Sequence, residues 1–338
     1  MEHLLEIEHL SVYFPTYAGD VQAVRDVSFT LEKGETLAIV GESGCGKSVT
    51  AKAVMGLIEQ TAGKVLPESM IRFDGKNILE YNAKEWQAYR GANCGIVFQD
   101  ALTSLNPTMK IGKQIQENIT NHKKENPAEA KAEVIQLLKA VGIPNPEKRY
   151  NQYPHEFSGG MRQRVMIALA LACRPNILIA DEPTTALDVT TQAQILDILK
   201  NLQKELGMSI IMITHDLGVV AGMAQRVLVM YGGKVMEEGS SDEIFFETEH
   251  PYTKALLKSA PRMDLDCGQN LISIEGNPPL LINPPDGCPF HQRCKYCMNI
   301  CKKHAPVMSS VGGTHKVACW LTYAKETGQI TREEIFSE

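Results

Sequence analysis

The sequence predicts an α/β protein with a small cysteine-rich appendage, and three observations carry that prediction. Short apolar runs, ETLAIV, NILIA and SIIMIT, alternate with helix-compatible stretches; an alternating apolar and polar segment precedes them; and five of the nine cysteines fall between Cys288 and Cys319. At 338 residues the chain is longer than one compact core usually serves, so a large domain with a smaller one is expected.

The elements follow in order. Residues 4 to 31 (LEIEHLSVYF, then AVRDVSFTLE) read as strands of an antiparallel sheet with one wet face. ETLAIV (35–40), NILIA (176–180) and SIIMIT (209–214) read as strands of a parallel sheet covered on both faces. Between about 100 and 172 the pattern turns helical, through KIGKQIQENI, AEAKAEVIQLLKAVG and MRQRVMIALALAC, which marks a helical subdomain inserted into the α/β core. After residue 260 Pro, Gly and Cys dominate with little periodicity, so a boundary is placed near 262–266. The division is therefore 1–262 for the main domain and 263–338 for the extension.

Composition narrows the partners. A net charge of −6 argues against nucleic acid, whose binding needs a basic face. No apolar run approaches the roughly 20 residues needed to span a bilayer, and MEHLLEIEHL is acidic where a secretory signal is basic, so the chain is expected to stay inside the cell.

GESGCGKS (41–48) fits G-x-x-x-x-G-K-[ST] and lies between the run LAIV and a helix-compatible stretch. Gly41, Gly44 and Gly46 allow the backbone to curl so that its N–H groups face phosphate oxygens, aided by the helix dipole. Lys47 is placed to reach the outer phosphates and Ser48 to ligate Mg²⁺. ILIADEP (177–183) supplies carboxylates: Asp181 for Mg²⁺, and Glu182 to deprotonate an attacking water. In FSGGMRQR (157–164), Ser158, Gly159 and Gly160 open a helix whose free N–H groups suit an anion; a serine cap followed by glycines for close packing is the alternative.

With these motifs the chain resembles the ATP-binding subunits of ABC transporters, whose fold is a P-loop ATPase with an antiparallel β subdomain, a RecA-like parallel core and an inserted helical subdomain. The family signature LSGGQ stands here as FSGGM. The resemblance implies Gln99 as the Q-loop residue coupling to the permease and as a further Mg²⁺ ligand. It implies Ala186, Leu187 and Asp188 as the D-loop, and His215 as the switch histidine. Phe14 becomes the adenine-stacking aromatic, with Tyr13 the second choice, and Ser43, Cys45 and Val49 join the nucleotide-binding loop. GLIEQTAGKV, IVFQDALTSLNP and HPYTKALLKSAPR sharpen the resemblance to the D-type ATPase of dipeptide and oligopeptide importers. That implies a paralogous F-type ATPase partner, two permease subunits, an extracellular substrate-binding protein, and a place on the cytoplasmic face of the membrane. A nickel or other nutrient importer is the alternative within transport, and a soluble ABC ATPase acting on ribosomes or nucleic acid the alternative outside it.

Cys288, Cys294, Cys301 and Cys319 form C-x5-C-x6-C-x17-C, a thiolate set for an iron–sulfur cluster or structural zinc. GCPFHQRC resembles the pattern that carries a [4Fe-4S] cluster in some peptide-importer ATPases. Cys297 is then an extra thiol or a replacement for a neighbouring ligand, and His291, His304 and His315 are candidates to complete a zinc site. Cys45, Cys94, Cys173 and Cys267 read as packing residues, and Arg293, Lys295, Lys302 and Lys303 as a solvated face.

Overall fold

The computed structural model describes residues 3–123, 126–185, 187–259 and 274–326. The predicted boundary near 262–266, Ala186 and Cys267 lie outside the described residues. The chain divides into two compact units, one of residues up to Leu4, Leu31–Thr36 and Phe73–Ile213, the other of Leu5–Thr30, Leu37–Arg72 and Thr214 onward.

The first unit is built on three parallel strands, Cys94–Val97, Ile177–Asp181 and Ser209–Ile213, in register through Gly95 with Leu178 and Leu178 with Ile210. Every residue of the last two is buried. Continuous apolar runs are what a strand covered on both faces requires, so NILIA and SIIMI show no alternation. The helices have local stops and starts. Asn126 caps Pro127–Ala140 by accepting from the N–H groups of Ala128 and Glu129, and Pro127 stands in its first turn. Asp188 caps Val189–Leu206, which ends at Gly207 in the left-handed conformation.

The second unit begins with the strands Leu5–Thr16 and Gly19–Leu31, neighbours in one sheet, with Lys64–Val65 antiparallel to the first. Thr36–Val40, wholly buried, pairs parallel with Arg226–Tyr231, and Lys234–Ser240 pairs antiparallel with Arg226–Tyr231. The extension read as loop-like contains two more strands: His315–Val317 pairs with Lys234–Ser240, and Ser309–Gly312 pairs with His315–Val317, both antiparallel. Strands of three and four residues are too short to show a period of two, which is why the sequence reading passes over them. The core here joins Val40, Val229, Tyr231, Met236, Tyr252, Cys288, Phe290 and Cys301, so the extension packs into this unit's hydrophobic centre. Among the described residues no helix is long and apolar enough to cross a membrane.

Candidate functional site

The loop 41–48 is curled by its glycines. A Cβ on Gly41, at φ +150°, would lie 2.1 Å from the Met230 carbonyl oxygen, and one on Gly46, at φ +107°, 2.5 Å from that of Ala23. Both positions therefore demand glycine, for conformation and for space. The helix Lys47–Val54 starts at once, and no side chain caps its N-terminus. A helix start that no side chain caps is a place where an anion can be held. Lys47 is buried, and its Nζ donates to the carbonyls of Gly41 at 2.8 Å and Glu42 at 3.0 Å. Ser48 and Val49 follow in the first turn, and Cys45 packs in the loop, 4% exposed, its thiol pushed up by burial.

Tyr13 and Phe14 take different surroundings, as strand alternation requires. Tyr13 lines a groove of about 520 Å³ with Ser11, Gln22, Arg25 and Lys234. The Phe14 ring instead covers Gly63, where a Cβ would meet it at 2.6 Å. His215 is exposed just beyond the strand Ser209–Ile213, and the next residue, Asp216, caps the helix Leu217–Met223.

In the first unit, Asp181 ends its strand, 7% exposed, and Glu182 turns out of it with φ +49°. Gln99 and Glu182 are brought into direct contact: Gln99 Nε2 donates to Glu182 Oε2 at 2.8 Å. The Thr185 hydroxyl donates to the same oxygen at 2.9 Å. Thr185 was not among the residues read from the sequence; its place three positions beyond the glutamate is the signal that could have found it. Ser158 caps the helix Gly159–Ala170, accepting from the Met161 N–H at 3.4 Å, and a Cβ on Gly160 would lie 2.7 Å from Thr191 Cγ2. Capping and close packing therefore both operate at this helix start. The Asp188 carboxylate accepts from the Thr191 N–H and hydroxyl and from the Thr190 hydroxyl, which holds its pKa far below the usual range.

In the second unit, Cys288, Cys294, Cys301 and Cys319 line one cavity of about 10 Å³ with His250, His291, Phe290, Tyr296 and Trp320. Cys297 is not on that lining; its thiol points to the Met298 carbonyl at 3.6 Å. Burial pushes Cys288 and Cys294 up to about 12 and raises Cys301 and Cys319 as well. Among the described residues no three His, Cys, Asp or Glu groups stand close enough together to hold a metal ion. Four soft donors around one cavity fit a thiolate-bound group in kind, while the present volume has room for a single atom. Of the histidines considered for zinc, His291 is on the lining, its Nδ1 2.8 Å from the Cys288 carbonyl oxygen. His315 instead pairs with Glu237, and the His304 carbonyl accepts from Trp320 Nε1.

Arg293 requires a correction. Lys295, Lys302 and Lys303 are exposed as expected, but the Arg293 side chain is 5% exposed and forms an ion pair with Glu42 of the loop. The two lie 251 positions apart, so no local pattern announces the contact. The other cysteines read as packing behave so in part: Cys94 is fully buried and Cys173 half-buried.

Comparison with known proteins places these features in a family. The profile of the ABC transporter family matches residues 24–185, and that of the oligopeptide/dipeptide transporter C-terminal region matches 236–301. The chain is 53% identical to the dipeptide transport ATP-binding protein DppD of Bacillus subtilis (strain 168), over 95% of each chain. It is 55% identical to the oligopeptide transport ATP-binding protein OppD of the same organism, over 95% of this chain and 89% of that one. Among solved structures, cbiO1 from Clostridium perfringens, part of the ABC transporter complex cbiONQ, superposes with TM-score 0.63 at 32% identity, covering 73% of this chain and 92% of that one. A dimeric ATP-binding cassette, MJ0796, in a post-hydrolysis state bound to ADP and phosphate gives 0.63 at 26% identity, covering 70% and 98%.

Proposed function

The chain belongs to the ABC transporter family of ATP-binding proteins, and from that premise we propose that it is the ATP-hydrolysing motor of an importer for dipeptides or oligopeptides. The observation that carries the mechanism is the loop 41–48, with its obligatory glycines, buried Lys47 and uncapped helix start. In this reading the loop N–H groups and Lys47 hold the phosphates of ATP, Phe14 stacks on adenine, and Ser43, Cys45 and Val49 line the nucleotide. Ser48, Gln99 and Asp181 hold Mg²⁺, which when bound screens the phosphate charge.

Glu182 takes a proton from water. The water oxygen bonds to the γ-phosphorus as the bond to the β–γ bridging oxygen breaks, leaving ADP and inorganic phosphate. His215 steadies the γ-phosphate. Ser158, Gly159 and Gly160 face the ATP held by a second ATPase, an F-type paralogue, beneath two permease subunits fed by an extracellular substrate-binding protein. The absence of a spanning helix among the described residues supports a peripheral subunit, which we place on the cytoplasmic face.

For the extension we propose a [4Fe-4S] cluster on Cys288, Cys294, Cys301 and Cys319, supported by the sharing of one cavity by the four thiols that the spacing selects. The cluster requires the cavity walls to move apart; zinc, the alternative, requires less. Iron, sulfide and zinc analysis of the chain purified without oxygen separates the two.

The experiment for the motor uses the assembled transporter in liposomes. Lys47→Ala should abolish ATP hydrolysis and peptide uptake together, and Glu182→Gln should keep ATP bound while hydrolysis stops. Hydrolysis at the wild-type rate in Lys47→Ala refutes the reading.

A further inference from the structure

Glu42, second residue of the loop 41–48, is held at two points. Its N–H donates to Tyr252 Oη at 2.9 Å, and its carboxylate accepts two guanidinium bonds from Arg293, Nη1 to Oε2 at 2.6 Å and Nη2 to Oε1 at 3.0 Å. The guanidinium is spent completely on this junction. Nη1 also donates to Tyr231 Oη at 3.0 Å, Nη2 to the Ile274 carbonyl at 2.9 Å, and Nε to the Glu275 carbonyl at 2.9 Å. The Tyr231 and Phe290 rings lie 5.7 and 6.0 Å from its central carbon. Arg293 is flanked by Cys294 and turns back through its N–H to the Phe290 carbonyl at 3.0 Å, both residues being on the cavity lining. One half-buried ion pair therefore ties the cysteine segment to the loop.

The chemistry of the loop gives that pair a purpose. A bare carboxylate at Glu42, on the loop read as the phosphate site, would repel a polyanion. A bidentate guanidinium cancels that charge and fixes the direction of the side chain, which a lysine ammonium cannot do as well. We propose that Arg293 supports nucleotide binding as a positioning residue that acts through Glu42, neutralising its carboxylate and fixing its direction so that no unpaired negative charge opposes the phosphates. The cysteine segment thereby sets how well the loop takes a nucleotide. This rests on the reading of 41–48 as the phosphate site.

The test is equilibrium binding of Mg-ATP to the full chain at low and high salt, with thermal melting alongside. Arg293→Met should weaken binding by about tenfold or more, and most strongly at low salt. Glu42→Gln should bind within about threefold of wild type, and the double variant should recover to about the same level, because the repelling charge is gone. Arg293→Lys should fall between wild type and Arg293→Met. Arg293→Met binding as wild type overturns the proposal. So does a double variant as weak as Arg293→Met, since the residue then only fastens the segment. Lys47→Ala checks the loop reading separately: if it binds Mg-ATP normally, that reading fails whatever Arg293 does.

Discussion

Stability of the second unit should pass through a maximum near pH 6.5, set by two histidines that share Glu237. That carboxylate is fully buried and accepts from His315 Nε2 at 2.8 Å, from the N–H groups of Glu249 at 2.7 Å and His250 at 3.2 Å, and from the Thr248 hydroxyl at 2.9 Å. The hydrogen bond to Glu237 raises His315 above its ordinary 6.5. Burial pushes His250 the other way, to about 4 from 6.5, and its Nδ1 accepts from the Tyr252 N–H. The folded chain binds the His315 proton more tightly than the unfolded chain does, so its contribution is full below 6.5 and is lost as pH rises through the raised value. His250 binds its proton more tightly when unfolded, so stability is full above 6.5 and falls as pH drops toward 4. That gap amounts to about 3 kcal/mol once the pH is below 4, of which about 2 kcal/mol is lost by pH 5.

Glu237 and Glu243, both held below their ordinary 4.5, act only below that value, which leaves the upper acid flank to His250. The surface pair His9–Asp26 works in the same direction as His315 and is suppressed by high salt. Urea denaturation at high salt, from about pH 5 to about pH 8.5, reads the profile through Trp320 in a Trp86→Phe background. His250→Asn, whose Oδ1 can take the same Tyr252 N–H, should flatten the acid flank, and His315→Gln the alkaline one. A flat wild-type profile, or an acid flank that survives in His250→Asn, refutes the reasoning.

Two further substitutions test the nucleotide loop and its aromatic. Gly41→Ala should abolish ATP binding and destabilise by about 2 kcal/mol or more, because its Cβ would sit 2.1 Å from the Met230 carbonyl oxygen; near-normal binding would show that the backbone yields. Phe14→Ala should weaken ATP binding by about tenfold while Tyr13→Ala spares it, and the opposite result would move the stacking role to Tyr13.

What could be read from the sequence depended on distance along the chain. LAIV, ILIA and SIIMI are buried on both faces, and continuous apolar runs record that directly. Asn126, Pro127 and Gly207 mark helix ends because capping is local chemistry. The loop glycines were legible for the same reason, since each is demanded by its own φ. The four thiols grouped by C-x5-C-x6-C-x17-C line one cavity, and Cys297, which the family resemblance treats as extra, is not on that lining. Arg293 was misread because its partner is remote in sequence, and a short basic cluster looks the same whether it meets water or a carboxylate. The three-residue strand His315–Val317 was missed because its place is fixed by pairing with Lys234–Ser240 and by His315 with Glu237, both nonlocal.

Backbone strain at Glu182 was equally invisible, and it yields a prediction whose sign is unusual. Glu182 has φ +49°, a region that a residue bearing a Cβ enters at about 1 kcal/mol or more. At an ordinary position glycine is less stable than alanine by about 0.5–1 kcal/mol, because it gains more freedom on unfolding. At Glu182 that order should invert. Glu182→Gly and Glu182→Ala both lose the bonds from Gln99 and Thr185, so those losses cancel between them and only the backbone term remains. Glu182→Gly should be the more stable of the two by about 0.5 kcal/mol, the strain relieved less the entropic cost of glycine, in urea denaturation of the full chain. Both should fail to hydrolyse ATP in the assembled transporter. Inversion of stability with loss of hydrolysis in both would mean that the fold bears local strain to present this carboxylate, since a cheaper residue is available. Alanine equal to or better than glycine would mean that the turn relaxes at no cost and that its geometry is no mark of function.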